Sequence, residues 1–213
     1  MVLVGRSAPD FTAAAVLGNG EIVDNFNLSS FIKGKAAVIF FYPLDFTFVC
    51  PSELIAFDHR FEEFQKRGVE VIGVSIDSQF THNAWRNTKI ADGGIGAVKY
   101  PLIADVKHEI CKAYDVEHPE AGVAFRGSFL IDKDGVVRHQ VVNDLPLGRN
   151  IDEMLRGYYL ERKVINEYEQ AELISSRYAK QLRKEVNTLE DYSLKETSNT
   201  LTYDMINLAR GRA

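Results

Sequence analysis

The sequence predicts an α/β fold for residues 1–156, followed by an added helical segment at residues 157–213. In the first part, continuous apolar runs alternate with stretches of helical periodicity, which is typical of a largely parallel sheet covered by helices. The composition then changes: all six prolines and all thirteen phenylalanines precede residue 147, and Gly211 is the only glycine after Gly157. This change predicts a domain boundary at about residue 156.

Apolar runs in the first part predict the strands of the sheet. AAVIFFY at 36–42 is continuously apolar, as in a central strand that is buried on both faces. VEVIGVSID at 69–77 predicts a second buried strand, and YPLIAD at 100–105 predicts a short third one. Residues 122–144 predict two antiparallel strands, joined by a turn at 132–135 that contains Lys-Asp-Gly.

Helical periodicity predicts three helices between these strands, at 51–67, 79–90 and 108–116. The glycine-containing stretches GNG at 18–20 and GGIG at 93–96 are expected to be turns. The resulting order is a βαβ unit, a further helix and a terminal hairpin. This order favours an α/β sheet of the thioredoxin type.

The C-terminal segment has a different pattern. Residues 151–190 predict a long helix, residues 188–200 a break, and residues 201–209 a last short helix. Within the long helix, apolar residues recur at alternating spacings of four and three, which is typical of helices that pack along a seam. Two interpretations are open: a helical hairpin packed on the first part, and a seam between subunits.

Bulk properties exclude several classes of protein. The net charge of -5 argues against a nucleic-acid-binding surface, and the mean hydropathy of -0.16 argues against a membrane protein. The N-terminus has no basic stretch followed by a long apolar one, so we expect no signal peptide and a cytoplasmic protein with reduced thiols. The five histidines lack metal-binding spacing and no phosphate-binding loop is present, so we expect neither a metal nor a cofactor.

Cys50 lies where a cysteine can be reactive. The predicted strand ends at residues 42–43, so the residues that follow lie at the carboxyl edge of the sheet, where α/β proteins build their sites. Pro51 suits the first turn of a helix, which places Cys50 at the helix start. Free N–H groups and the positive end of a helix stabilise a thiolate there. The alternative is a small, buried hydrophobic residue.

A series of motifs then points to one family. Pro43, Thr47 and Cys50 form Pro-x-x-x-Thr-x-x-Cys within FFYPLDFTFVCPSE, and VSIDSQFTHNAW, GGIG, AFRGSFLID and NDLPLGRN follow in order. With these motifs, residues 1–156 resemble the peroxiredoxins, in particular the typical two-cysteine branch that includes the alkyl hydroperoxide reductase C subunits. The resemblance implies a thioredoxin-like peroxiredoxin fold.

The resemblance also implies a catalytic role for four residues. The Cys50 thiolate would attack one peroxide oxygen and become a sulfenic acid. Thr47 would hold the peroxide through its hydroxyl group. Arg126 would favour the thiolate and stabilise the negative charge that develops as the O–O bond breaks. Pro43 would shield the pocket from water.

Two supporting residues are implied as well. Glu53 would orient Arg126, and Arg149 would add a second positive charge nearby. Without the resemblance, Arg126 would be interpreted as an exposed strand residue, and Glu53 as a carboxylate that the first turn of a helix favours.

The cysteine pattern departs from this branch of the family. Its members keep a resolving cysteine in a C-terminal Val-Cys-Pro motif, whereas here no cysteine follows Cys111 and no proline follows Pro146. Cys111 shares an apolar helical phase with Ile110 and Tyr114, so we favour a structural role for it. To pair with Cys50, its Cα atom would have to come within about 7 Å of that of Cys50. No resolving cysteine is therefore identified.

The predicted function is a thiol-dependent peroxidase that reduces hydrogen peroxide and organic hydroperoxides through a Cys50 sulfenic acid. An external thiol or disulfide-reductase donor, or an altered resolving step, would recycle the cysteine. The resemblance also implies a homodimer or a ring of dimers. The alternative function is therefore an assembly scaffold, in which the helical segment is an interaction module.

Overall fold

One mixed sheet organises residues 12–143. Its strands are β1 (Thr12–Val16), β2 (Ile22–Asn27), β3 (Ala36–Phe41), β4 (Val69–Ser75), β5 (Leu102–Ala104), β6 (Arg126–Ile131) and β7 (Val137–Asn143). They form a seven-stranded sheet in the order β2-β1-β5-β4-β3-β6-β7. The three central neighbours β3, β4 and β5 are parallel, and the strands on either side of them are antiparallel. The α/β class and the terminal hairpin predicted from the sequence are confirmed.

The computed structural model describes residues 1–156, of which Met1–Ile151 form one compact unit. The helices in this range are α1 (Leu28–Phe31), α2 (Cys50–His59), α3 (Phe61–Gln65), α4 (Gln79–Asn87) and α5 (Glu109–Ala113). Residues 151–156 are also helical. No helix of residues 1–156 is long and apolar enough to cross a membrane. The helical segment predicted at 157–213, with its packing seam, lies outside the described residues, and the boundary at residue 156 stays a prediction.

Side chains from β3 pack on both faces of the sheet, as the continuous apolar run predicts. Successive side chains of a strand point to opposite faces. Ile39 and Phe41 belong to a core cluster on one face, where Phe41 lies against Phe129 with ring centroids 5.8 Å apart. Phe40 points to the other face and stacks on Phe57 of α2, with centroids 4.1 Å apart. Every residue of β3 is buried.

Two parts of the fold differ from the sequence-based expectation. The helix predicted at 51–67 is divided into α2 and α3, because Arg60 adopts φ −97° and ψ 0°, outside the helical region. No strand was predicted for residues 12–27, which form the hairpin of β1 and β2. The alanine-rich β1 has a weak strand preference by itself, and pairing with β2 and β5 holds it in the sheet.

The carboxyl end of β3 positions the candidate site. After Phe41 the chain crosses the loop 42–49 and enters α2 at Cys50. β6 runs antiparallel to β3, with Phe40 paired to Ser128, so its first residue Arg126 reaches the same edge of the sheet. A residue larger than glycine at position 127 would require its neighbours to shift, since a Cβ there would lie 2.9 Å from Val116 Cγ1.

Candidate active site

Cys50 is the first residue of α2, as the position of Pro51 in the sequence predicts. Only 1% of its surface is exposed. Pro51 lies in the first turn, where its missing N–H group costs no helical hydrogen bond. The N-cap residue Val49 makes no side-chain hydrogen bond to the first turn. The thiol therefore lies at a helix start where no side chain at the N-cap competes for the backbone N–H groups.

The Arg126 guanidinium contacts the Cys50 sulfur directly. Its Nη1 donates a hydrogen bond to Cys50 Sγ at 3.4 Å and another to Glu53 Oε2 at 2.5 Å, and its Nε donates to the carbonyl of Leu145 at 2.7 Å. Only 4% of the residue is exposed. Interpreting Arg126 as an exposed strand residue is therefore wrong, because the start of β6 directs its side chain beneath α2.

The Glu53 carboxylate lies between two arginines. Oε2 accepts the bond from Arg126, and Oε1 accepts bonds from Arg149 Nε at 2.9 Å and from the Arg149 backbone N–H at 3.2 Å. Glu53 is in the first turn of α2, where the helix dipole favours a carboxylate. It is also 4% exposed, so its negative charge is held chiefly by the arginines rather than by water.

Arg149 connects this carboxylate to the ends of two strands. Its Nη1 donates to the Gly127 carbonyl at 2.9 Å and to Ser128 Oγ at 3.0 Å, and its Nη2 donates to the Phe41 carbonyl. The centre of the guanidinium lies 5.3 Å from the centroid of the Phe40 ring. Burial lowers the pKa of Arg149 from its usual value, and the charge of Glu53 opposes that shift. Arginine stays protonated in such a site.

Pro43 and Thr47 line the loop that leads from β3 to Cys50. Pro43 is buried, and Thr47 is half-buried. The Thr47 hydroxyl donates its proton to the carbonyl of Leu44 at 3.0 Å. Because a hydroxyl has one proton and two lone pairs, the oxygen of Thr47 remains able to accept a hydrogen bond from a bound molecule.

Beneath the same loop, the structure contains a buried polar network that was not predicted from the sequence. Asp45 accepts a bond from the Tyr42 hydroxyl at 2.8 Å and lies 2.7 Å from His82 Nδ1, while its backbone N–H donates to Asp77 at 2.9 Å. Burial raises the pKa of Asp45, and the contact with His82 opposes that shift. His82 Nε2 faces the carbonyl of Ile103 at 3.2 Å, so both of its nitrogens face acceptors. No signal in the sequence connects residues 45 and 82.

Cys111 lies in a different environment. It is fully buried on α5, within the core cluster that includes Ile110 and Tyr114. Burial raises the pKa of the Cys111 thiol far above its usual value, and the nearby charge of Asp105 raises it further. The thiol is thus protonated at neutral pH, which makes it a poor nucleophile. These observations support the predicted structural role.

No group of three or more His, Cys, Asp or Glu side chains within residues 1–156 is arranged to hold a metal ion. The site itself consists of the Cys50 thiol, the guanidinium groups of Arg126 and Arg149, and the Glu53 carboxylate. These groups place positive charge and hydrogen-bond donors next to the buried Cys50 sulfur.

Comparison with protein families identifies the family of the chain. The model described as the AhpC/TSA family matches residues 4–140. The chain belongs to this family of peroxiredoxins. Alkyl hydroperoxide reductase C of Buchnera aphidicola subsp. Schizaphis graminum is 58% identical over 156 residues, which are 73% of this chain and 79% of that protein. The corresponding protein of Helicobacter pylori is 57% identical over 155 residues, or 73% of this chain and 78% of that one.

Solved peroxiredoxin structures share the fold. The crystal structure of reduced Plasmodium vivax 2-Cys peroxiredoxin matches with a TM-score of 0.71 and 44% sequence identity, over 80% of this chain and 85% of that one. The thioredoxin-like peroxiredoxin fold predicted from the sequence motifs is therefore confirmed.

Removing the negative charge of Glu53 should destabilise the fold. We expect Glu53→Gln to lower the free energy of unfolding by roughly 3 kcal/mol, because one uncharged amide replaces the partner of two buried arginines. Both carboxylate oxygens accept bonds from arginine, so the amide NH2 group of glutamine must face a donor. Urea unfolding followed by circular dichroism measures the change.

Glu153→Gln is the matched control, since its partner Arg156 is 45% exposed at the side chain. An exposed ion pair contributes only about 0–1 kcal/mol. Equal losses in the two variants would contradict the structural importance of the buried carboxylate.

Proposed function

We propose that this peroxiredoxin reduces hydrogen peroxide and organic hydroperoxides, with Cys50 as the attacking thiolate. The observation that carries the proposal is the 3.4 Å contact between Cys50 Sγ and the Arg126 guanidinium at the start of α2. In the reaction, an S–O bond forms to one peroxide oxygen and the O–O bond breaks. The other oxygen takes up a proton and leaves as water or an alcohol, and Cys50 becomes a sulfenic acid.

The buried charges around Cys50 favour this chemistry. Arg126 and Arg149 contribute two positive charges and Glu53 one negative charge, so the three side chains have a net charge of +1. A thiolate at Cys50 balances that charge, whereas a neutral thiol does not. As the O–O bond breaks, negative charge moves toward the leaving oxygen, and Arg126 is placed to stabilise it. Glu53 acts by holding both guanidinium groups in place.

We assign the remaining two predicted residues to binding. Thr47 donates to the Leu44 carbonyl, so its oxygen is oriented to accept a hydrogen bond from the O–H group of the peroxide. This bond would direct the peroxide toward the sulfur. Pro43 is buried at the start of the same loop and has no backbone N–H group to solvate, which suits a wall that excludes water.

An external thiol or disulfide-reductase donor is proposed to recycle Cys50. The thiol would attack the sulfenic sulfur and release water, leaving a mixed disulfide that a second thiol reduces. Cys111 is the only other cysteine of the chain, and its burial in the apolar core argues against an intramolecular disulfide. We propose the cytoplasm as the location, because reducing systems there maintain such thiols.

We also propose that the protein assembles as a homodimer or a ring of dimers. Phe46, Phe48 and Phe80 expose 52%, 102% and 66% of their surface, and exposed aromatic residues of this size favour burial against another subunit. A scaffold without enzymatic activity is not favoured, since relatives with more than half of their aligned residues identical are named alkyl hydroperoxide reductase C or peroxiredoxin.

Replacing the two cysteines separately tests the identity of the nucleophile. We expect Cys50→Ser to abolish peroxide consumption, because a serine hydroxyl is not ionised at neutral pH. Cys111→Ala should leave the initial rate within about twofold of wild type, since the thiol does not take part in the attack. Peroxide consumption in the presence of dithiothreitol measures both. Near-normal turnover by Cys50→Ser would refute the mechanism.

Thr47→Val tests the proposed contact with the peroxide. Valine has nearly the shape of threonine but lacks the oxygen that accepts the bond. We expect the second-order rate constant for Cys50 oxidation to fall roughly 100-fold, similar to the loss of one positioned hydrogen bond in other active sites. Stopped-flow fluorescence of Trp85 measures the rate. Thr47→Ser should recover most of the activity; a Thr47→Val variant as fast as wild type would rule out the contact.

Intact mass after one equivalent of peroxide tests the recycling scheme. The protein is denatured in a reagent that traps sulfenic acids, and a non-reducing gel is run beside it. A single adduct at Cys50 without a disulfide is expected for a cycle that depends on an external thiol. A loss of two hydrogens would instead mean that Cys111 resolves Cys50, or that Cys50 pairs across subunits.

A further inference from the structure

The hydroxyl group of Tyr100 connects α2 to a distant part of the chain. Tyr100 lies just before β5 and is fully buried. Its hydroxyl donates a hydrogen bond to the carbonyl of Leu54, in the middle of α2, at 2.7 Å. Burial raises the pKa of this phenol well above its usual value, so the donated proton is retained throughout the neutral and mildly alkaline range.

The acceptor is placed close to the active site along the helix. Leu54 directly follows Glu53 and lies one turn after Cys50. A helical carbonyl has two lone pairs, so Leu54 can accept the bond from Tyr100 while it also accepts the usual bond from the N–H group of Asp58. The hydroxyl therefore fixes the peptide group next to Glu53 without interrupting the helix.

The ring of Tyr100 packs against the aromatic residues between the sheet and α2. It makes T-shaped contacts with Phe40, with centroids 5.7 Å apart and the planes at 74°, and with Phe57 of α2, at 6.5 Å and 72°. Phe40 in turn lies under the guanidinium of Arg149. Tyr100 thus contacts both the helix that carries Glu53 and the ring that supports the second arginine.

We propose that Tyr100 is a positioning residue for the peroxidase reaction, which holds Glu53, and through it Arg126 and Arg149, in place around Cys50. This role rests on the proposed function, since it concerns the rate at which the Cys50 thiolate attacks a peroxide. Tyr100 itself takes no part in bond making. Its effect is transmitted by one hydrogen bond to the helix backbone and by the aromatic contacts beneath Arg149.

Tyr100→Phe tests the proposal, because it removes one oxygen atom and keeps the ring. The second-order rate constant for Cys50 oxidation by hydrogen peroxide is measured by stopped-flow fluorescence under single-turnover conditions. We expect it to fall roughly two- to tenfold, the range that corresponds to one neutral hydrogen bond. The rate is measured at a temperature where near-ultraviolet circular dichroism shows that the variant is folded. If the melting temperature of the variant is low, sucrose is added to stabilise the folded state.

Tyr114→Phe is the matched control. The Tyr114 hydroxyl also donates to a backbone carbonyl, that of Pro9 at 3.0 Å, and its ring packs on Phe41 and Phe129 with centroids 5.1 and 5.0 Å apart. Its acceptor, Pro9, is not part of α2. We expect Tyr114→Phe to oxidise at the wild-type rate. If Tyr100→Phe and Tyr114→Phe have the same oxidation rate, the proposal is overturned. Any change in rate would then be explained by the loss of a hydrogen bond in the core, wherever that bond lies.

A double-mutant cycle separates positioning from a purely structural effect. If Tyr100 acts through Glu53 and Arg149, its effect should be reduced to less than twofold in an Arg149→Lys background. If the fold-changes of the two single variants instead multiply in the double variant, Tyr100 does not act through Arg149, and the proposed route is overturned.

A wild-type protein that fails to oxidise at Cys50 would refute the proposed function itself. A reactive wild type with an unaffected Tyr100→Phe variant would refute only the role of Tyr100.

Discussion

A buried carboxylate shared by two arginines organises the catalytic end of this protein. Glu53 accepts hydrogen bonds from Arg126 and from Arg149, and all three side chains are at most 5% exposed. Their residues come from the start of α2, the start of β6 and the segment before residue 151. Because an unpaired charge is costly in such a place, removing Glu53 would leave two buried guanidinium groups without their carboxylate partner. The same interaction that joins three parts of the chain thus determines the electrostatic environment of Cys50.

This ion-pair cluster is continuous with the sheet. Arg149 donates to the Gly127 carbonyl, to Ser128 Oγ and to the Phe41 carbonyl, and so connects the ends of β3 and β6 with the helix that carries Cys50. The ring of Phe40 lies beneath the guanidinium and belongs to the packing between the sheet and α2. The packing under α2 and the charged groups above it thus form one connected set of contacts.

The two cysteines show that burial alone does not decide reactivity. Cys50 and Cys111 are 1% and 0% exposed. Cys50 has a guanidinium at hydrogen-bond distance, whereas Cys111 is surrounded by apolar side chains and lies near the carboxylate of Asp105. Positive charge near a thiol favours the thiolate, and apolar surroundings with negative charge disfavour it. The same residue type is therefore suited to catalysis in one place and to core packing in the other.

From the sequence alone, the central strands, the terminal hairpin, the helix start at Cys50 and the family motif could be predicted, because each depends on neighbouring residues or on a local pattern. Contacts between distant residues do not follow from such local patterns; only the resemblance to the family implied that Glu53 orients Arg126 and that Arg149 lies nearby. The bonds that Glu53 makes with both arginines and the contact between Asp45 and His82 join residues 37 to 96 positions apart. The strand character of β1 likewise depends on its neighbours in the sheet. Local chemistry in the chain determined which residue can react. What surrounds Cys50 was decided only by the tertiary structure, because it brings charged side chains from distant segments together in one buried site.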